Sequence, residues 1–146
     1  MKLLPPPLVL ILLIGMAGLR WFLPGAILLT PPLNWLGLLP LALGALLLLQ
    51  GAGLFRRIGT NIKTFNEPGT LVTDGPFRLT RNPMYLGFLL VLLGAAILLG
   101  ALTPFAGPLV FALASQLVYI PFEEAALRAK FGEAYEAYAR RVRRWI

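Results

Sequence analysis

Two polar stretches carry the residues of this chain that could do chemistry. The first ends in residues 81–85 (RNPMY), and the second begins with the adjacent carboxylates Glu123 and Glu124, which directly follow an apolar run. The chain has no histidine and no cysteine, which removes imidazole acid–base groups, thiolate nucleophiles and the usual protein ligands of zinc, copper or haem. Any chemistry must therefore use carboxylates, tyrosine, arginine or a bound cofactor.

The pair Asn82-Pro83 supports two interpretations. Asn is a preferred helix N-cap and Pro fits the first helical position, so the pair can simply begin an apolar helix. A helix N-terminus preceded by Arg78 and Arg81 is also suited to bind a carboxylate or a phosphate. Both interpretations are kept, because one pair of residues can do both.

The two adjacent glutamates are expected to differ in role. Glu123 has no Lys or Arg three or four residues later, and an ionisable residue without a local partner at the edge of an apolar helix is a functional candidate. Glu124 precedes Arg128 by four residues, as Glu136 precedes Arg140, and this spacing favours exposed helix-stabilising pairs. On a helix the two side chains point about 100° apart, so only Glu123 is expected to face the loop before residue 82.

The elements that must position these residues are apolar helices. Hydrophobic residues make up 58% of the chain and charged residues 13%, whereas soluble domains are close to one half and one quarter. No charged residue occurs in residues 3–19, 21–55 and 82–122, which are runs of 17, 35 and 41 residues. A membrane-spanning helix needs roughly 20 apolar residues. The composition therefore predicts an all-α, polytopic helical membrane protein.

Prolines and glycines divide these runs into about four predicted transmembrane helices. Residues 30–32 (TPP) break the chain because two successive prolines do not fit inside a helix, and residues 100–108 (GALTPFAGP) form a turn. No persuasive cleavage site follows the first apolar stretch, so we expect an uncleaved helix there. All of residues 1–146 are expected to form a single domain, with a polar loop and a C-terminal helix forming the site. The first predicted crossing starts after residue 7 and ends near residues 20–24, and the others run from about residue 33 to 55, 82 to 100 and 109 to 122. Nothing prevents the last helix from continuing past Glu123.

The basic residues predict the orientation. Eleven of the 13 Lys and Arg residues, and all six acidic residues, fall on one side of this arrangement, so that side and both termini are expected to be cytoplasmic. The net charge of +7 is better explained by anionic lipid head groups than by nucleic acid. Residues 139–145 (ARRVRRW) are expected to be a lipid-surface anchor with Trp145 at the interface. The eleven basic residues are Arg56, Arg57, Lys63, Arg78, Arg81, Arg128, Lys130, Arg140, Arg141, Arg143 and Arg144.

Glycines recur every seven residues in the second and third predicted crossings. Gly37, Gly44 and Gly51 form one series, and Gly87 and Gly94 form another. A spacing of seven keeps small residues on one helix face, where two backbones can approach closely. We predict that these glycines serve helix packing.

The two polar stretches together resemble a known family. Residues 71–87 (LVTDGPFRLTRNPMYLG), followed later in the chain by residues 123–142 (EEAALRAKFGEAYEAYARRV), are similar to the isoprenylcysteine carboxyl methyltransferase and phospholipid methyltransferase superfamily. The resemblance extends over residues 59–142. It implies a small integral membrane enzyme, here of the bacterial inner-membrane type, that uses S-adenosylmethionine and releases S-adenosylhomocysteine.

The resemblance also implies roles for individual residues. Asn82 stands where the eukaryotic carboxyl methyltransferases have His, Phe77 where they have Tyr, and Tyr119 where they have a substrate-contacting Arg, so a prenylcysteine substrate is not carried over with the fold. Arg81 and Glu123 are the implied catalytic residues, and no metal is implied. The implied cofactor-binding residues are Gly69, Thr70, Leu71, Val72, Phe77, Asn82, Pro83, Met84, Tyr85, Glu123 and Glu124.

Methyl transfer suits the chemical inventory of the chain. The donor sulfonium is already activated, so the protein mainly has to position two reactants and exclude water. A carboxylate or thiolate acceptor needs little base catalysis, whereas an amine acceptor must lose a proton to Glu123, Glu124 or Tyr85. The expected partners are membrane lipid and a lipophilic acceptor that approaches from the lipid, with the cofactor approaching from the cytoplasm.

Two other functions remain to be weighed. A non-catalytic membrane scaffold or assembly protein could keep the same fold, and binding of S-adenosylmethionine would distinguish the two. A transporter is disfavoured, because its spans should carry intramembrane polar groups and the candidates are only Gln50, Ser115 and Gln116.

Overall fold

The computed structural model describes residues 4–59 and 69–146, and these residues are predominantly helical. Residues 60–68, which contain Lys63, lie outside the described residues. The predicted all-α fold is confirmed. A short 3₁₀ helix, Leu33–Gly37, leads into α2, and a π-helical turn, Ser115–Tyr119, joins α4 to α5. The α-helices are α1 (Pro5–Phe22), α2 (Leu38–Ile58), α3 (Pro83–Leu99), α4 (Ala106–Ala114), α5 (Ile120–Phe131) and α6 (Glu133–Arg141).

Within the described residues, three helical segments are long and apolar enough to cross a membrane. They are Pro5–Phe22, Leu33–Arg57 and Thr103–Phe131. The last of these contains α4, the π turn and α5, which confirms that the final apolar helix continues beyond Glu123. Helix α3 has 17 residues, at the lower limit of a spanning helix. These helices make the chain an integral membrane protein, and its four crossings with cytoplasmic termini stay a prediction.

Helices α2 and α3 pack through their glycines. A Cβ on Gly44 would lie 2.5 Å from the carbonyl oxygen of Gly87, and a Cβ on Gly94 would lie 2.6 Å from that of Gly37. The two backbones thus touch at two levels, seven residues apart on each helix, as small residues permit in lipid. Gly51 instead faces the side chain of Met84. The packing role predicted for these glycines is confirmed.

The core lies between α3 and its other neighbours, α1 and α4. The Met16 side chain of α1 fills the space beside Gly107 of α4, and Leu92 and Phe111 are fully buried. The Tyr85 ring lies 6.5 Å from that of Phe111. This packing fixes the direction of the α3 face that carries Tyr85.

The C-terminal end of α3 is closed by donors from two other segments. The Arg20 Nε donates to the carbonyl of Leu99 at 2.8 Å, and the Asn34 Nδ2 donates to that of Leu98 at 3.0 Å. The carbonyl of Gly100 accepts the backbone N–H groups of residues 28 and 29 at 2.8 and 3.1 Å. Helix carbonyls that would otherwise lack a partner are thereby satisfied, as an apolar environment requires.

Candidate functional site

A tight turn precedes α3 and is hydrogen-bonded to α6. Residues Gly75–Arg78 form one 3₁₀ turn, in which the Phe77 ring is buried against Phe55 with centroids 5.5 Å apart. The Tyr138 hydroxyl donates to the Phe77 carbonyl at 2.7 Å. Burial raises the pKa of Tyr138, so its hydroxyl remains protonated and keeps donating. This contact couples α6 to the beginning of α3.

Residues 80–82 are tied to a short strap formed by residues 143–145. The Arg81 N–H donates to the Arg143 carbonyl at 2.9 Å. The carbonyl of Arg144 accepts from the Thr80 hydroxyl at 3.0 Å and from the Asn82 Nδ2 at 2.9 Å. Two carbonyls of the strap therefore accept hydrogen bonds from three donors at the N-terminal end of α3.

This arrangement corrects one prediction about Asn82. The residue does occupy the N-cap position, with Pro83 first in α3 as predicted, but its side chain makes no capping hydrogen bond. Its amide is turned toward the carbonyl of Arg144, because the strap offers an acceptor for which the amide nitrogen is suited. The Asn82 N–H is instead satisfied by the hydroxyl of Thr80 at 3.1 Å.

Glu124 lies at the centre of an ion-pair cluster. Arg144 binds its carboxylate through two nitrogens, with Nη2–Oε2 at 2.7 Å and Nε–Oε1 at 3.2 Å. The Arg81 Nη2 lies 3.3 Å from Oε1, and the Arg128 Nη1 lies 3.6 Å from Oε2. Glu124 itself is 3% exposed. The prediction of an exposed glutamate that mainly pairs with Arg128 is therefore wrong, because the strap and the loop both return to this face of α5.

Arg128 and Arg81 differ in how many of their guanidinium nitrogens have partners. Arg128 also pairs with Glu136, with 2.8 Å between Nε and Oε1, so the predicted partner of Glu136, Arg140, is not its partner here. Arg81 is largely buried, and among the described residues its Nε is a buried donor without a hydrogen-bond partner. A buried unpaired donor on a charged group is costly. Arg81 therefore retains one donor that is not used within the cluster.

Glu123, the neighbour of Glu124 at the same helix end, contacts α3. The Tyr85 hydroxyl donates to its Oε1 at 2.9 Å. The Tyr85 ring is stacked on that of Tyr119, with centroids 6.0 Å apart and planes 18° apart. Both tyrosines are buried, whereas Glu123 is half-buried. A carboxylate, a hydroxyl and two aromatic faces thus meet where α3 and the π turn come together.

The remaining predicted site residues have varied positions. Gly69 and Thr70 are exposed, Leu71 is half-buried and Val72 is buried. Pro83 is buried at the start of α3, and Met84 packs against α2. The structure brings together Arg81, Asn82, Tyr85, Glu123 and Glu124 as one cluster.

The contacts of the strap were missed by the sequence reasoning, which treated it as a lipid anchor. The Arg144 side chain is engaged by Glu124, and the Trp145 Nε1 donates to the Gln116 Oε1 at 2.9 Å. Thr80 and Tyr138 were also missed. Spacing along one helix could not indicate contacts between residues about 60 positions apart. The signal that the sequence did offer was four arginines within the six residues 140–145.

An apolar groove lies between α3 and α4. Its volume is about 460 Å³, and Trp145 of the strap and its partner Gln116 are among the residues that line it. Leu89, one helical turn beyond Tyr85, lines it on α3. The α4 side is lined by Leu109, Ala112 and Leu113.

Comparison with known proteins assigns the chain to a family. The phospholipid methyltransferase family matches residues 33–134, more than two thirds of the chain and nearly all of the cluster. The chain belongs to the phospholipid methyltransferase family. This confirms the superfamily assignment made from the two motifs.

Individual relatives of this family member are named for different methyl acceptors. The protein-S-isoprenylcysteine O-methyltransferase of Schizosaccharomyces pombe is 39% identical over 80 residues, which is 53% of this chain and 33% of the relative. The methanethiol S-methyltransferase 2 of Bradyrhizobium diazoefficiens is 44% identical over 69 residues, 45% of this chain and 24% of the relative. An uncharacterized protein of Haemophilus influenzae is 40% identical over 63 residues, 43% of this chain and all of the relative.

The chain spans about a third or less of the length of these two named methyltransferases. No solved structure matches this family member.

Proposed function

We propose that the protein transfers a methyl group from S-adenosylmethionine to a lipophilic or membrane-associated acceptor at the cytoplasmic membrane boundary. The observation that carries the proposal is the cluster at the N-terminal end of α3. There, among the described residues, Arg81 has a buried Nε without a partner beside Glu124, and Tyr85 donates to Glu123. Membership of the family supports the reaction class.

The residues of the cluster fit the charged parts of S-adenosylmethionine. The Arg81 guanidinium, with its unpartnered buried Nε, suits the cofactor carboxylate, since guanidinium binds carboxylate through two parallel hydrogen bonds. The stacked rings of Tyr85 and Tyr119, with Glu123 beside them, suit a cationic sulfonium. When bound, the cofactor would supply an activated methyl group on positively charged sulfur.

The protein's own part in the reaction is positioning, exclusion of water and proton transfer where it is needed. The buried tyrosines and the apolar helices around them provide a site of low polarity. For an amine acceptor, Glu123 is the best-placed base of the three predicted candidates. Glu124 is occupied by three guanidinium groups, and the Tyr85 hydroxyl already donates to Glu123.

The acceptor is proposed to reach the cluster through the groove between α3 and α4. Leucine and alanine side chains line most of the groove, including Leu89, which lies one turn after Tyr85 on α3, so the groove suits the hydrocarbon part of an acceptor that diffuses in lipid. The relatives named above methylate oxygen and sulfur acceptors by their names. A carboxylate, a thiolate and a phospholipid amine are all within the proposed acceptor class.

The proposed orientation places this cluster on the cytoplasmic side, in a membrane of the bacterial inner-membrane type. The positive-inside rule supports it, because most basic residues lie at this end of the helices. Reporter fusions after Thr103 and after Ile146 should report opposite sides of the membrane. Matching sides would overturn the four-crossing arrangement.

Titration calorimetry with S-adenosylmethionine, followed by a radiolabelled methyl assay on membrane lipid and protein, tests the proposed function. Glu123→Gln should weaken cofactor binding by roughly 1.5–3 kcal/mol, the range for a hydrogen bond to a charged group. Glu133→Gln, an exposed change on α6, is the matched control. Tight binding with no methyl transfer to any fraction would favour a non-catalytic scaffold, and absence of binding by the parent protein would overturn the proposal.

A further inference from the structure

Of the three arginines around Glu124, Arg144 makes the shortest contact, although no sequence motif marks it. Its guanidinium covers both oxygens of Glu124, at 2.7 and 3.2 Å, whereas Arg81 lies 3.3 Å from one of them. A carboxylate has about four lone-pair positions for donors. Because Arg144 occupies two of them in fork geometry, Arg81 is held at the side of the carboxylate.

The strap that carries Arg144 is fixed independently of its side chain. Two carbonyls of the strap accept hydrogen bonds from residues 80–82, and Trp145 donates to Gln116. A change of the Arg144 side chain leaves all of these bonds in place. The side chain can therefore be tested apart from the strap's backbone.

The charge balance shows what the Arg144 side chain does for Arg81. Arg128 has a second carboxylate in Glu136 at 2.8 Å, so Arg81 and Arg144 are left to share Glu124. If Arg144 were neutral, both oxygens of Glu124 would be open to Arg81, and a bidentate pair would form between them. Arg81 would then be neutralised within the protein and less able to bind a second carboxylate.

We propose that Arg144 is a positioning residue that competes for Glu124 and so keeps the Arg81 guanidinium available for the carboxylate of the cofactor. This inference rests on the proposed function. It concerns one part of the cofactor only, because the adenosine and the sulfonium do not depend on the charge of Arg81. It therefore predicts a selective loss, which a purely structural role of the strap would not produce.

The test compares two ligands that differ by one carboxylate. S-adenosylmethionine and decarboxylated S-adenosylmethionine are titrated into the full chain, purified in one detergent, and the ratio of their dissociation constants measures the carboxylate preference. Arg144→Gln should reduce this preference by roughly tenfold, the effect of one charge-assisted hydrogen bond. Its affinity for the decarboxylated ligand should stay within about twofold of the parent, a difference far below one hydrogen bond.

Three further variants separate competition from other effects. Arg143→Gln removes the same charge from the neighbouring exposed position and should keep the parent's ratio, which excludes a general loss of positive potential. Arg144→Lys keeps the charge but loses the fork geometry, so it should lose part of the preference. In Arg144→Gln/Glu124→Gln no carboxylate remains to capture Arg81, and the preference should return.

Each other outcome overturns a defined statement. Equal weakening of both ligands in Arg144→Gln, or an unchanged ratio, overturns the positioning role of Arg144 while the proposed function stands. An unchanged ratio in Arg81→Gln overturns the assignment of the cofactor carboxylate to Arg81 and, with it, this inference. If the parent binds neither ligand, the proposed function fails as well.

Discussion

The two ends of α3 are both fastened by distant segments, but they are fastened differently. At the C-terminal end, the carbonyls of residues 98–100 each accept a donor, from Asn34, Arg20 and two backbone N–H groups. At the N-terminal end, the strap satisfies the backbone and the neutral side chains, yet among the described residues a buried nitrogen of Arg81 stays without a partner. Among the described residues, the atom left without a partner at the C-terminal end is the neutral Oδ1 of Asn34, whereas at the N-terminal end it is a nitrogen of a charged guanidinium.

The two ends of α3 show the difference between polar groups that only support the fold and polar groups that are also available for chemistry. Arg20 has a single task, since its guanidinium closes a helix end whose carbonyls favour a positive charge. Arg81 is one of three arginines around Glu124, and its buried Nε has no partner among the described residues, so it retains a donor for an anionic ligand. Polar groups at a structural end should affect stability alone, whereas those at the other end should also affect ligand binding.

The largest expected effect is that of Glu124→Gln. Removing the carboxylate leaves Arg81 and Arg144 close together without their common partner, and breaking a buried ion pair costs about 3–5 kcal/mol of unfolding free energy. Thermal melts in detergent measure the loss, with the exposed Glu133→Gln as control. A melting temperature equal to that of the parent would mean that Glu124 is as dispensable as an exposed glutamate.

At the opposite end, Gly100→Ala should destabilise the fold without affecting the cofactor. Gly100 has a φ of +68°, and a Cβ there would collide with the carbonyl oxygen of Leu29. Left-handed strain alone costs about 1–2 kcal/mol. Gly53→Ala, a helical position with open space around it, is the control and should be neutral or stabilising. A change in affinity for S-adenosylmethionine in Gly100→Ala would contradict the separation of the two ends.

Asn82→Asp tests how the N-terminal end is held. Asp is as good an N-cap as Asn, so a pure capping role predicts no loss of stability. The structure predicts a loss of about 1–3 kcal/mol, because the new carboxylate would face the Arg144 carbonyl without the amide donor. Melting curves of the parent and variant in the same detergent decide between the two. Stability equal to the parent's would restore the capping interpretation.

The smallest expected effect is that of Arg78→Gln. Arg78 pairs with Asp74 at 2.8 Å, but both side chains are more than two thirds exposed, and exposed pairs contribute less than about 1 kcal/mol. Stability and affinity for S-adenosylmethionine should both stay close to the parent's. A strong loss of affinity would show that the ligand contacts the exposed arginine before α3 as well as the buried one.

Sequence patterns predicted the parts of this molecule that depend on short-range physics. Uncharged runs broken by Pro31-Pro32 and Gly100 predicted the apolar helices, and the seven-residue glycine spacing predicted the α2–α3 contact. The pair Asn82-Pro83 correctly marked the beginning of α3.

What the sequence did not predict depends on where distant segments return. Glu124 was assigned to Arg128 because the spacing of four was visible, whereas Arg144 reaches it from 20 residues away. Capping was one of the two interpretations of Asn82, and the acceptor that its amide finds on residue 144 could not be foreseen from a position 62 residues earlier. The residues of the cluster were recognisable, but their partners were not.

The π turn in the long final helix sets the rotation of everything beyond it. A wide turn of this kind holds one residue more than an α-helical turn, so α5 has the angular phase of a regular helix that is one residue shorter. If residues Ser115–Tyr119 were wound as ordinary α-helix, α5 would rotate by about 100°, and Glu124 would turn away from Arg81. A one-residue deletion inside this turn can be absorbed by regular winding, whereas the same deletion anywhere else between it and Glu123 would separate the two halves of the cluster.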